Sequence, residues 1–266
     1  MTDDAVTTTL KAEPATAADE SGDGGAVFGE TSGLKGLSYK SHSIFGRRLR
    51  ILHEARILIE KRGHENFTLR ELAQRAGVAQ ATLYNAFGSR GNIIVSAIQQ
   101  YYLDYLQGTS FENSAFTLLG RIERIISAHA FNLSIRPYVS AIVAIYNAPG
   151  PDLTMRQAIF KALTQPCREY ADYLSATKQF APNLNPEMFR EHLTQSYFAL
   201  LSSWSYGEIS DDDVGEALVE SLLMIIYGST KGPLKREAGE WLQVVRDRGQ
   251  PWRDLKVRFG QRSIQA

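Results

Sequence analysis

Cysteine is almost missing from this chain: Cys167 is the only one in 266 residues. No intrachain disulfide is possible, and no cysteine-based zinc site can be built within one chain, which favours a reducing compartment. Long apolar runs are missing as well. The longest, such as residues 222–227, are far too short to span a bilayer. The first residues, Met1-Thr2-Asp3-Asp4, are acidic where a secretory signal is basic, and no apolar segment follows them. These absences predict a soluble, cytoplasmic protein with no membrane partner. There is no phosphate-binding loop, no Gly-rich nucleotide fingerprint and no Ser/His/Asp signature, so neither an enzyme nor a cofactor is expected. His64-Glu65 begins like a zinc-protease motif, but Thr68 stands where the second His is needed. No metal site is expected either.

Net charge is also absent, since 29 Lys+Arg balance 29 Asp+Glu. A uniformly basic nucleic-acid coat is therefore excluded. The zero conceals alternating blocks. Residues 1–40 are net −4, with three basic and seven acidic side chains. Residues 41–90 are net +5, with nine and four. Residues 91–230 are net −6, with eight and fourteen, and residues 231–266 are net +5, with nine and four. A basic block of this length suits a small anion-binding domain. At 44% hydrophobic residues, the remainder can form a substantial core.

Residues 1–40 are rich in Thr, Ala, Gly, Asp and Glu, with few large apolar residues before Val27 and Phe28, and read as a disordered tail. From Phe45 the pattern changes. Phe45, Leu49, Leu52, Ala55 and Ile59 recur at helical steps, with arginines between them and Gly63 as a stop. Thr68-Leu69-Arg70-Glu71 is a capping box. It opens a short helix ending near Gly77, and a second short helix runs from Gln80 to Phe87. Ser89 caps a longer one through Tyr105. Two short helices joined by a Gly-containing turn and preceded by a longer helix read as a helix-turn-helix. Helices are also expected over 116–131, 137–147, 152–178, 187–206 and 212–228, with Asp152 as a cap and the 147–151 segment as a loop. Pro166 should kink the 152–178 helix. After Leu234 one further short helix around Trp241, Leu242 and Val245 is expected, followed by a basic end.

The segment from Phe45 to Leu106 resembles the DNA-binding domain of TetR-family transcriptional regulators. Thr68-Leu69-Arg70-Glu71-Leu72-Ala73, Ala76-Gly77-Val78, Thr82-Leu83-Tyr84, Phe87 and Ser89-Arg90 carry the resemblance. It departs at Ala79, where a Ser or Thr cap is usual, at Asn85-Ala86 and at Gly91. The resemblance implies an all-α protein: an N-terminal three-helix DNA-binding domain (41–90) followed by a helical ligand-binding and dimerisation domain (91–230, with 91–106 connecting). Residues 231–266 remain as a basic C-terminal extension. It further implies a repressor acting as a homodimer on a near-palindromic double-stranded operator. Short polar side chains near the start of a groove helix can reach base edges. The expected DNA-contacting residues are Thr68, Arg70, Gln80, Ala81, Thr82, Tyr84, Asn85 and Arg90. Thr68 is first a cap. Arg47, Arg48 and Arg50 read equally well as an ordinary solvated face.

A small apolar or aromatic effector is expected among Tyr101, Tyr105, Phe131, Tyr138, Tyr146, Phe160 and Tyr170, because pockets are mostly apolar with a few orienting polar groups. The same rings could simply pack the core. Arg136 or Arg168 could partner a local anion. The helices over 187–206 and 212–228 are expected to leave Phe189, Leu193, Leu201, Leu218, Leu222 and Ile225 for a second copy. Two other readings stand beside this one: a regulator controlled by a protein partner, and a helical ligand-binding or enzymatic bundle.

Overall fold

The computed structural model describes residues 42–66, 68–147 and 153–261. The expectations for residues 1–40, the 148–151 loop, the Asp152 cap and the last five residues lie outside these, as do the side chains of His64 and Glu65. Among the described residues the chain is all-α, with a single isolated β-bridge between Phe180 and Thr230. The helices are α1 (His42–Asn66), α2 (Leu69–Ala76), α3 (Gln80–Phe87), α4 (Arg90–Gly108), α5 (Leu118–Ser134), α6 (Arg136–Asn147), α7 (Leu153–Ala176), α8 (Pro186–Ser205), α9 (Asp211–Ser229), α10 (Gly232–Asp247) and α11 (Gln250–Gly260). None is long and apolar enough to cross a membrane.

Local chemistry sets the boundaries. The Thr68 hydroxyl accepts from the Glu71 amide at 3.2 Å, and Ser89, Thr117, Asn185 and Ser210 cap α4, α5, α8 and α9 in the same way. Gly77 ends α2 in the left-handed region at φ 63°, which a Cβ would penalise. Gly63 breaks α1 with a non-helical conformation near its end. Gly120 permits a close approach: a Cβ there would lie 1.9 Å from the Ser114 carbonyl oxygen. That loop is held by Glu123. Fully buried, its carboxylate accepts from the Glu112 amide at 2.7 Å and from the Asn113 amide and side chain at 2.9 Å.

Three apolar clusters hold the helices. The first joins α1–α4 to Tyr138 and Ile145 of α6, Ile159 of α7 and Phe198 of α8. The second joins α5, α7, α8 and α9 to α10 and α11. The third packs α6 against α8 and α9 around Trp204.

The C-terminal residues differ from expectation. Two helices stand where one short helix and a basic end were read. Leu234, Ala238 and Val245 of α10 and Trp252 and Phe259 of α11 are buried. Their stripe recurs at four- and seven-residue steps, and dense charge on the other faces masks it in sequence. That charge is matched: Arg246 pairs with Glu220 at 2.7 Å, Arg248 and Lys256 with Glu216 at 2.7 and 3.2 Å, and Arg258 with Glu112.

Candidate nucleic-acid interface and internal cavity

Helix α3 turns Leu83 and Phe87 inward, leaving Gln80, Ala81, Tyr84 and Asn85 exposed on the outer face, with Thr82 half-buried beside them. This is the consequence of the 3.6-residue period: 80, 81, 84 and 85 share one side and 83 and 87 the other. Ala79 makes no side-chain cap, as its residue type dictates; its carbonyl accepts from the Thr82 amide at 2.9 Å. Thr68 and Arg70 are exposed at the start of α2, and Arg90 is half-buried at the start of α4.

The arginines of α1 are not an undifferentiated solvated face. Arg48 Nη1 donates to the Ala86 carbonyl at 3.2 Å, and its guanidinium lies 4.2 Å from the Phe87 ring centroid. Arg50 Nε donates to the Ala76 carbonyl at 3.1 Å. Both cations meet the C-terminal carbonyls of a short helix, where charge and dipole agree. Asn92 Nδ2 donates to the Phe87 carbonyl at 2.8 Å, fastening α3 to α4. Arg62 pairs with Glu71 at 3.0 Å and Arg75 with Glu54 at 2.7 Å. Arg47 and Arg70 remain exposed.

A cavity of about 260 Å³ lies at the far end of α4. Tyr102, Tyr105 and Leu106 of α4 line it, with Arg121, Arg124, Ile125 and Ala128 of α5. Pro166, Cys167 and Glu169 of α7 form another wall, and Leu193, Thr194, Tyr197, Leu200, Leu218, Ser221 and Leu222 of α8 and α9 close it. Pro166 thus stands at open space, as a helix-interior proline allows. Burial pushes the Tyr102, Tyr105 and Tyr197 phenols and the Cys167 thiol above their ordinary pKa values, so all four are protonated at neutral pH.

Of the seven aromatic residues expected at a ligand, Tyr105 lines this cavity. Tyr101 and Phe131 stack at 4.9 Å, Phe131 and Tyr105 at 4.7 Å, and Tyr138 meets Tyr101 edge-on at 5.3 Å. Arg56 of α1 lies 4.8 Å from the Tyr101 ring. The rings therefore form a column from the cavity wall to α1. Tyr146 stacks on Phe198 at 4.0 Å, with Phe160 at 6.5 Å, and Tyr170 is buried under Arg121. These six pack between helices because aromatic spacing marks burial without distinguishing a filled interior from a lined one.

The cavity's polar groups were not anticipated. Arg136 donates to Asp211 at 2.7 Å and to the Trp204 carbonyl at 3.2 Å, and Arg168 is exposed; the cations at the cavity are Arg121 and Arg124. A signal was available: Arg121 sits between Leu118 and Ile125 at helical steps on an otherwise apolar stripe.

Helices α8 and α9 also differ. Phe189, Leu193, Leu201, Leu218 and Leu222 are buried in their own chain, and Ile225 is half-buried. The expectation that one chain leaves these stripes uncovered is corrected. Leu193, Leu218 and Leu222 face the cavity, and α5 and α10 cover α9. Exposed on these two helices are Met188, Met224 and Tyr227.

Residues 51–97 match the family model for bacterial regulatory proteins of the tetR family. Solved structures share the fold. Full-length native TylP, a TetR regulator from Streptomyces fradiae, aligns with a TM-score of 0.55 at 18% identity, over 77% of this chain and 98% of that one. SmeT, the repressor of the Stenotrophomonas maltophilia multidrug efflux pump SmeDEF, aligns at 0.53 and 16% identity, over 70% and 92%. A TetR transcriptional regulator from Rhodococcus sp. RHA1 aligns at 0.50 and 20% identity, over 70% and 97%. No curated protein matches the chain. The chain therefore carries a segment of the TetR helix-turn-helix type within an all-α fold that it shares with these structures.

Proposed function

We propose that this chain, whose N-terminal helices form a TetR-type DNA-binding domain, is a ligand-responsive repressor acting as a homodimer on a near-palindromic operator. One observation carries the reading. Helix α4 begins at the recognition helix, where Asn92 holds the Phe87 carbonyl, and ends as a wall of the cavity at Tyr102, Tyr105 and Leu106. A ligand that moves one end moves the other. In a dimer the two recognition helices must stay about one DNA turn apart, so a small displacement of α4 breaks the register. The aromatic column from Tyr105 to Arg56 offers a second mechanical link to the same domain.

The reading assigns DNA contact to residues 41–90 and regulation to 91–230, with the helices of 231–260 completing the regulatory core. Gln80, Ala81, Thr82, Tyr84 and Asn85 face the groove. Thr68, Arg70 and Arg90 approach the backbone. A cytoplasmic location and the absence of catalysis go with it. The open cavity favours a small effector over control by a protein partner, for which a filled helical domain would suffice. Because the lining is mostly aliphatic and aromatic, the effector is a mostly apolar or aromatic molecule, with room for one polar end. For pairing of two copies the exposed sides of α8 and α9, with Met188, Met224 and Tyr227, are the available apolar surface.

The test is to map genomic binding sites, recover an operator, and screen apolar and aromatic compounds by thermal shift. Compounds that stabilise the protein should release the operator in an anisotropy assay. Stabilising compounds that leave the complex intact would contradict the ligand-responsive reading.

A further inference from the structure

Arg121 is the unusual group in the cavity. Its guanidinium lies 4.9 Å from the Tyr170 ring centroid and makes no hydrogen bond or ion pair with any described residue. The other cation on the wall, Arg124, is satisfied: its Nη1 donates to the Asn113 carbonyl at 3.0 Å and the Gly120 carbonyl at 2.9 Å, and its guanidinium lies 4.2 Å from the Phe111 centroid. Burial and the neighbouring Arg121 charge lower the Arg124 pKa, against the opposing pull of the Glu123 carboxylate. The one carboxylate on the lining, Glu169, is on an exposed residue and accepts from Gln165 at 3.4 Å. The Cys167 thiol, protonated by burial, is no counter-ion. Two tyrosines line the same cavity: Tyr102, and Tyr105, whose hydroxyl is buried beside Thr109. The aliphatic lining is Ile125, one turn along α5 from Arg121, with Leu193, Leu218 and Leu222 of α8 and α9.

We propose that the cavity takes a small amphipathic monocarboxylate, with its carboxylate on Arg121 and its hydrocarbon body against the aliphatic wall of α8 and α9. This rests on the ligand-responsive reading above and names its ligand class. A half-buried guanidinium that faces a cavity has donors to offer a ligand, and a carboxylate is the planar acceptor that matches its fork. A neutral hydrocarbon would fill the same space and leave Arg121 unpaired. An amine would meet a like charge. The volume, about 260 Å³, falls just below the usual range of small-molecule sites, about 300–1,000 Å³, and so favours one short chain or one ring.

The experiment is calorimetry on the full chain without DNA, using decanoate, 1-decanol and decylamine as probes. Decanoate should bind about tenfold or more tightly than decanol, and decylamine more weakly than either. Arg121→Met should abolish the preference for decanoate over decanol, and Arg121→Lys should retain part of it. Decanol binding as tightly as decanoate would overturn the proposal, as would no decanoate binding or an unchanged preference in Arg121→Met. The comparison of the three probes on the wild-type chain decides the matter even where a variant fails to fold. Arg121-dependent decanoate binding that leaves the operator complex intact would uphold the ligand class and remove the effector role. Release of the operator by a neutral compound, with no decanoate binding, would do the reverse.

Discussion

His129 shows how one side chain couples burial to stability. It is buried between α5 and the start of α9, where Gly215 leaves just enough room: a Cβ there would come within 3.0 Å of the ring. Nε2 lies 3.2 Å from the Asp211 carbonyl, so it carries the proton, and Nδ1 is buried without a partner. Burial, outweighing the pull of Asp211, lowers the histidine pKa. The unfolded chain then holds the second proton more tightly than the folded one. The stability this residue contributes is fully present above the ordinary histidine pKa, about 6.5, and is lost as pH falls below it. Urea unfolding between pH 7.5 and 5.5 should weaken the wild type more than His129→Gln, which keeps a donor for Asp211. Equal slopes would sink the assignment. Arg121 was hard to read in sequence, because an arginine on an apolar stripe is compatible with its head reaching water.

Individual helices were legible to the extent that their signals are local. The capping box at Thr68, the left-handed Gly77 and the Asn185-Pro186 start all fix boundaries through residues within one turn of each other. Thr68→Ala should cost about 1 kcal/mol in unfolding free energy, and Ala79→Ser, restoring a cap to α3, should add about 0.5–1 kcal/mol. Chemical denaturation checks both, and a neutral Ala79→Ser would show that the Ala79 conformation does not admit the cap. What a helix packs against was not local. The α9 stripe reads as an uncovered face until the partners on α10 are recognised, and those lie among charged residues that pair with α9 at longer range. Trp252 has 1% of its surface exposed, and its Nε1 donates to Glu216 at 2.9 Å. Trp252→Ala should therefore cost about 3–5 kcal/mol, or prevent folding. A near-neutral result would mean that α11 is an appendage and not part of the core.

At the scale of the whole molecule, the proposed function joins two sites through α4 and the aromatic column. Phe131 sits between Tyr101 and Tyr105 at stacking distance from both. Phe131→Leu should leave operator affinity within about threefold while reducing ligand-driven release, since it keeps apolar volume but removes the stack. Calorimetry and anisotropy separate the two effects, and an unchanged release curve would leave α4 as the sole link. The motif in residues 68–90 made the proposed DNA end of this arrangement visible, because the outward positions of a short helix are set by a register that Leu83 and Phe87 fix. The ligand end was not visible: a cavity is a gap among helices distant in sequence, and the same aromatics serve a filled core equally well. The most direct test is therefore at the DNA end. Anisotropy with an operator duplex and a random duplex, across a salt series, should show steep salt dependence on both through counterion release. Arg90→Ala should weaken both duplexes alike, and Asn85→Ala should weaken the operator by about 1–3 kcal/mol more than the random duplex. Salt-independent binding, or operator affinity unchanged in both variants, would contradict the account.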